Sequence, residues 1–278
     1  MRPIGLYDNV RLRAHCTVRA LTLPMPTHVV EDLLPHGMVL GPQEFTPTGT
    51  HPITMWFYDM FQMHMNIPTP LPSMSYNEHV VGIPYVHTTR SLINPICSGP
   101  FFYMATLRLN SWLAIFGGRL FWGFEKNFGD ITTSNGRFFV WDPSSHAPMV
   151  SLIYEPTGPY WPVDEFPKFR HMYALLQQPL ISMLPGGLGP VFVASEFARR
   201  WQTATIQPLR ASMKIYQSYV TGLPTGTFPP TGMTKSIEES AFGSFSLRME
   251  YACGLIYPTW FCPISARDAT FLPTYLPS

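Results

Sequence analysis

Hydrophobic and polar positions along this chain change over at short intervals, and proline or glycine marks most of the changes. Leu12 to Thr22 alternates loosely through β-branched and apolar residues, which predicts a strand ended by Pro24 and Pro26. Thr27 is placed to cap a short helix over Val29 to Leu34, with Val30, Leu33 and Leu34 on one face and Gly37 beyond its end. Met55 to Met65 reads as a buried strand, Asn66 to Pro72 as a loop, and Ser75 to Val86 as a strand broken at Pro84. Pro100 to Asn110 and Trp112 to Phe116 read as two strands turned at Asn110-Ser111. Gly117-Gly118 then bends the chain into Arg119 to Phe128, and Arg137 to Trp141 and Met149 to Tyr154 continue the pattern.

The pattern turns helical from Pro162 to Met183. Phe166, Phe169, Met172, Tyr173 and Leu176 recur at helical spacing, with Pro167 tolerated in the first turn. Val191 to Ala194 is a short apolar run, Thr203 to Tyr219 returns to alternation, Pro224 to Pro230 reads as a loop, and Phe245 to Ile256 is the last clear strand. No repeat and no linker divides the chain, so 1–278 is expected to form one domain. Many short strands with one or two helices predict a mainly β (α+β) fold, an antiparallel barrel or sandwich.

Composition narrows this further. The chain has 278 residues with 30 Pro and 20 Gly, which excludes a helical bundle, since each interior proline costs a helix about 3 kcal/mol. Hydrophobic residues at 46% and aromatics at 14% can build a large core, which excludes a disordered chain. A net charge of +1 with 13% charged residues gives no basic footprint for nucleic acid. No apolar run reaches the ~18 residues of a membrane span. Met1-Arg2-Pro3-Ile4-Gly5 lacks the apolar stretch of a secretion signal, so the expected location is the cytoplasm. Cys16, Cys97, Cys253 and Cys262 are widely spaced and read as free core thiols rather than zinc ligands.

Searches for familiar chemistry are mostly negative. H-E-x-x-H and G-x-S-x-G are absent, and Gly186-Gly187-Leu188-Gly189 lacks the Lys and Ser/Thr of a phosphate loop, so it reads as a turn. The nine His residues are scattered, and His64 and His79 could meet only through the fold. No metal or cofactor is expected.

One lysine stands apart. Only four lysines are present, and Lys126 lies in Arg119-Leu-Phe-Trp-Gly-Phe-Glu-Lys-Asn-Phe-Gly129. Read as a strand, this run puts Trp122, Phe124, Lys126 and Phe128 on one face. If that face is interior, desolvation lowers the ammonium pKa. A free lysine is about one part in a few thousand neutral at pH 7, and lowering its pKa by roughly 3 to 4 pH units, about 4 to 5.5 kcal/mol, would make it a competent nucleophile. The alternative is a snorkelling lysine, its stem on the aromatics and its ammonium in water.

The run Ala114 to Gly129 resembles the core motif of the acetoacetate decarboxylase family, with Gly118, Arg119, Phe124, Lys126 and Gly129 on matching positions. The resemblance implies an antiparallel β-barrel of the acetoacetate decarboxylase type with a few peripheral helices. It also implies a Schiff base on Lys126, in a family whose lysine is activated by a cationic neighbour. Ser75-Tyr-Asn-Glu-His-Val-Val-Gly-Ile-Pro-Tyr85 is similar to the family's segment carrying an active-site glutamate, here Glu78 preceded by Tyr76. Arg11 to Arg19 resembles the strand with a substrate-binding arginine, which maps onto Arg11 with Arg13 as a rival. The resemblance covers residues 10 to 130, and beyond them only the late strand around Ser244 to Tyr257 fits.

Three departures change what the resemblance implies. Leu120 stands where the family has Glu, Glu125 replaces a Pro, and Asn127 replaces a second lysine. Without that second cation, desolvation by Trp122, Phe124 and Phe128 has to do the activating. This points away from simple acetoacetate decarboxylation and leaves related aldol–dehydration or cyclisation chemistry of specialised metabolism equally open. The expected assignment is a Schiff-base lyase acting on a small, apolar carbonyl compound, by β-keto acid decarboxylation or related aldol or dehydration chemistry, with Lys126 and Glu78 catalytic. Arg11, Tyr76, Trp122 and Phe124 would contact substrate, and Tyr58, Phe61 and Met63 are candidates for the lining. The expected partner is that small molecule, with neither nucleic acid nor membrane, in a homo-oligomer as the family implies. Two alternatives remain: a non-covalent cyclase or isomerase in the same barrel, and a barrel that only binds apolar ligands through its aromatics and its 15 Met residues. The reading further expects residues 100 to 155 to be mainly strand, 163 to 178 to be helix, and Lys126 and Glu78 to converge.

Overall fold

The computed structural model describes residues 11–66, 72–88, 99–122, 124–166, 169–176, 178, 180–182, 193–199, 201–217, 219–232 and 243–258. In chain order the elements are β1 (Arg11–Pro26), α1 (Thr27–Glu31), β2 (Met38–Leu40), β3 (Thr50–Asn66), β4 (Met74–Thr88), β5 (Phe101–Leu109), α2 (Trp112–Trp122) and β6 (Lys126–Phe128). There follow β7 (Asp130–Ser134), β8 (Arg137–Trp141), β9 (Pro148–Pro156), β10 (Trp161–Pro162), α3 (Phe169–Leu176), β11 (Leu180–Ile181), β12 (Val193–Arg199), β13 (Thr205–Ile215), β14 (Gly226–Gly232) and β15 (Ser244–Pro258).

These strands form one connected sheet. The order β1-β3-β4-β5-β11-β12-β15 returns to β1, because β1 also pairs with β15 from Arg11↔Gly254 to Leu21↔Ser244. Seven strands thus close a ring. A second run, β13-β9-β8-β7, extends from β15 and lies over part of the ring's outer face. Most pairings are antiparallel, but β6 and β11 join β5 in parallel.

The period-2 alternation of the ring strands sorts side chains into two cores. Inside are Ala14, Cys16 and Val18 of β1, Trp56, Tyr58 and Met60 of β3, Tyr76 and Val80 of β4, and Leu107 and Leu109 of β5. Phe169, Met172 and Leu176 of α3 belong to the same inner core. Outside, Leu21, Met55, Phe57 and Val81 pack against Phe138, Val140, Leu152 and Met213 of the covering strands. The mainly β barrel is therefore as expected, with a second core under its flank.

Several element boundaries differ from the expectation, each for a physical reason. Pro24 does not end β1, which runs on to Pro26: its pairing with β15 stops at Leu21, so the prolines sit on a free edge where no N–H is needed. Pro84 does not break β4 either, and it falls where the register with β5 shifts between Ile83 and Val86. Thr27 is the first residue of α1 rather than its cap, and the helix ends at Glu31. The predicted strands at Trp112 to Phe116 and over the first part of Arg119 to Phe128 are replaced by α2, whose start is capped by Ser111 Oγ accepting from the Ala114 N–H. That helix leaves Trp112 68% and Phe116 64% exposed, so no two-sided burial marked it as helical in the sequence. The helix expected from Pro162 shortens to a 3₁₀ turn at Val163–Glu165 and α3. The loop expected at Pro224 to Pro230 is largely β14, which among the described residues pairs with β13.

Among the described residues no group of three or more His, Cys, Asp or Glu could hold a metal, and no helix is long and apolar enough to cross a membrane. Cys16 is buried, while the other three cysteine side chains lie outside the described residues. His64 is exposed, but His79 is fully buried under the covering strands. Its Nδ1 lies 3.1 Å from Trp56 O and its Nε2 2.7 Å from Tyr219 Oη. Both contacts suit a neutral imidazole that donates to the carbonyl and accepts from the phenol.

Burial lowers the His79 pKa to about 3, outweighing the bond to Trp56 that pulls it up. Between its ordinary value of 6.5 and about 3 the unfolded chain binds a proton that the native one refuses. Stability due to His79 should therefore be complete above pH 6.5 and fall on acidification, with a limiting slope of about 1.4 kcal/mol per pH unit. Urea unfolding at pH 7, 6 and 5 should show a shallower decline for His79→Gln than for the wild type. Parallel slopes would refute the assignment.

Candidate active site

Glu78 follows from the alternation of β4. Tyr76, Glu78 and Val80 face the ring interior, and an otherwise apolar wall thereby carries one carboxyl, which is 7% exposed. Lys126 arrives differently from the strand parity expected of it. Helix α2 ends at Trp122, and a tight turn follows in which the Phe124 N–H reaches Gly118 O at 3.4 Å and the Lys126 N–H reaches Phe124 O at 2.8 Å. The chain then joins the ring wall as β6, parallel to β5, with Lys126 opposite Leu107. Across β5, Leu109 pairs with Glu78. The two side chains thus reach across β5 from either side.

They meet: Lys126 Nζ lies 3.7 Å from Glu78 Oε2, and the side chains are only 12% and 9% exposed. A lysine extended into bulk solvent is thereby ruled out. At that distance the contact is an ion pair rather than a hydrogen bond. Burial pushes the Glu78 carboxyl up, while the Lys126 charge and a hydrogen bond from Tyr76 pull it down; burial is the larger effect. Glu78 therefore keeps a proton to higher pH than an exposed glutamate.

The neighbours that fix this geometry come from the motif and from Arg108 and Trp112 just before it. Gly118 of α2 makes room for the lysine arm: a Cβ there would stand 2.3 Å from Lys126 Cε, 2.4 Å from Cδ and 3.0 Å from Nζ. Arg119 donates from Nε to Lys126 O at 2.8 Å and from Nη2 to Asn127 Oδ1 at 3.2 Å. On the other side of β6, Arg108 Nη1 donates to Phe128 O at 3.2 Å. At Gly129 a Cβ would meet Arg108 Cβ at 3.2 Å. Trp112 stacks on Phe128 with ring centroids 4.7 Å apart.

Of the residues singled out from the sequence, the structure brings together Lys126, Glu78 and Tyr76, whose hydroxyl also lies 3.4 Å from Met63 Sδ. Phe124, Tyr58 and Met63 are buried in the inner core, but Phe61 is 45% exposed and lines nothing inside. Arg13 is exposed and does not face the site. Arg11 begins β1 opposite Gly254 and Asn66, and Trp122 ends α2; both side chains lie outside the described residues. The expected common face of Trp122, Phe124, Lys126 and Phe128 does not exist, because the first lies in a helix and only Lys126–Phe128 is strand. Sequence reasoning matched Gly118 and Arg119 without assigning them work and missed Arg108 altogether.

No family model and no curated protein sequence matches the chain. Solved structures do. An acetoacetate decarboxylase is similar over 92% of this chain and 93% of its own, with a TM-score of 0.56 at 10% identity. The acetoacetate decarboxylase of Legionella pneumophila is similar over 93% and 92%, with a TM-score of 0.51 at 12% identity. An enduracididine biosynthesis enzyme, MppR, complexed with the condensation product of pyruvate and imidazole 4-carboxaldehyde, is similar over 91% and 89%, with a TM-score of 0.50 at 13% identity. The chain has the acetoacetate decarboxylase fold.

Gly118→Ala tests the steric part of this geometry. The atoms met by the new methyl are the far end of a flexible arm, so the fold should survive and the lysine should move. A structure of the variant should show an unchanged ring with Nζ withdrawn from Glu78. An unmoved lysine would mean that Gly118 has no part in placing it.

Proposed function

We propose that this protein is a Schiff-base lyase for a small carbonyl compound, with Lys126 as nucleophile and Glu78 as proton carrier. The observation that carries this reading is the contact of the Lys126 amine with a carboxyl that burial holds toward its protonated form. The fold of the acetoacetate decarboxylases supports it at the level of architecture.

Attack requires an unprotonated amine, and Glu78 is the group placed to receive its proton. Nζ adds to the carbonyl carbon, the carbonyl oxygen takes up protons, and the carbinolamine loses water as the nitrogen pair forms the C=N bond. In a β-keto acid the C–C bond to the carboxylate then breaks. Its electron pair enters the iminium to give an enamine, and CO₂ leaves. Protonation of the enamine carbon and hydrolysis return product and free lysine. The same iminium supports aldol or dehydration steps, and MppR in complex with a pyruvate condensation product keeps those within this reading. The inner core around the pair, with Tyr58, Met60, Met63 and Phe124, favours a substrate with an apolar body.

A second reading rests on the same contact. A lysine that remains an ammonium beside Glu78 would serve a non-covalent cyclase or isomerase as a fixed charge. Lys126→Arg separates the two, because guanidinium keeps the charge and cannot form an imine. Incubation with a ketone and borohydride, followed by mass measurement, should add one reduced adduct to the wild type and to Lys214→Ala. Lys126→Ala and Lys126→Arg should gain none. Turnover by Lys126→Arg without any trapped adduct in the wild type would reject the Schiff base in favour of the cyclase.

The role of Glu78 has its own signature. A step that draws a proton from Glu78 slows as pH rises through its raised pKa, so the alkaline fall should lie above the usual carboxylate range. Glu78→Gln should lower kcat by about 10²- to 10⁴-fold and erase that limb of the profile. A profile unchanged by the substitution would remove Glu78 from proton transfer.

A further inference from the structure

On the opposite side of the wall that carries Glu78 and Lys126 lies a cavity of about 490 Å³, lined in part by Arg108, Asp142, Gln217, Tyr219 and Thr221. The sheet places it there by parity: Glu78 and Leu109 point into the ring, and the next cross-strand pair, His79 and Arg108, points out. The cavity thus shares β4 and β5 with the Lys126 site, and Arg108, which lines the cavity and also holds Phe128 O of β6, is the one side chain common to both.

Asp142 lies near enough to steady the Arg108 charge, but among the described residues the two form no ion pair. Asp142 Oδ1 is committed to its own turn, accepting from the Ser144 and Ser145 N–H groups at 2.8 and 2.9 Å. Those bonds, with one from the Ser144 hydroxyl, hold the carboxyl well below the usual range. Among the described residues Arg108 hydrogen-bonds through Nη1 to Phe128 O, and its Nε is buried with no partner. A partly buried guanidinium with five donors and one such bond is underused. Gln217, Thr221 and the Tyr219 phenol add donors and acceptors beside it. A planar monoanion matches the guanidinium fork, whereas the neighbouring Asp142 charge opposes a dianion such as phosphate.

We propose that this outer cavity is a second binding site, for a small carboxylic acid bearing hydroxyl or amino groups, whose carboxylate is gripped by Arg108 and whose polar groups meet Asp142, Gln217 and Thr221. Its volume admits such a molecule together with bridging water. The site is independent of Lys126 and stands whether or not that lysine forms a Schiff base.

The test uses the full chain and a panel of lactate, glycerate, glutamate and inorganic phosphate, with binding read by isothermal titration calorimetry and by saturation-transfer NMR. At least one of the three carboxylates should bind saturably, and more tightly than phosphate. Thr221→Glu, at an exposed position on the rim, sets a like charge against the ligand without touching the core and should weaken binding about tenfold or more. Arg108→Gln should weaken it at least as much, and Lys126→Ala should leave it unchanged. The proposal is overturned if none of the carboxylates binds, if phosphate binds best, if Thr221→Glu binds like the wild type, or if Lys126→Ala abolishes binding.

Discussion

The pairing of β1 with β15 is the constraint from which the rest of the structure follows. Without it the strands would form an open twisted sheet with one face to water. With Arg11 to Leu21 laid along Gly254 to Ser244, the sheet closes and acquires an inside. An inside is what turns an alternating strand such as β4 into a chemical device, because one residue of the inward set can then be a carboxyl removed from solvent. The closure also creates the outer core, since the covering strands pack on a wall that is already curved and fixed.

Much of this architecture was legible in the sequence. The strands β3, β5, β8, β9 and β15 carry β-branched, aromatic and apolar residues in runs bounded by turn residues, and their positions follow from that alone. Illegible features have a common origin in context. Pro24 and Pro84 break strands only where an N–H is required, and whether it is required depends on a neighbour distant in sequence. Helix α2 carries apolar residues on both its buried and its exposed sides, Ile115 on one and Trp112 on the other, so no period marks it.

The site was legible in part, and for a reason that proved incorrect. Lys126 stood out because aromatic residues recur around it, and Glu78 because of the segment it lies in. The parity that made the lysine look buried fails, since a helix and a turn precede it; its burial comes from the reach of its side chain over Gly118. Arg108 could not be found at all. Its meaning depends on the register of β5 against both β4 and β6 and on a turn at Asp142 that only the folded chain brings near.

Strand β6 is only three residues long, and two arginine side chains hold its carbonyl oxygens, Arg119 at Lys126 and Arg108 at Phe128. Neither bond belongs to the apolar packing that keeps the ring folded. The segment carrying Lys126 is thus moored by polar cables to a hull built on apolar packing. Apolar packing and the placing of Lys126 are in this way written into different parts of the chain. Sequence drift can slacken the moorings and displace the lysine while the hull stays as sound as before, so a relative that melts at the same temperature can still have lost the contact of Lys126 with Glu78.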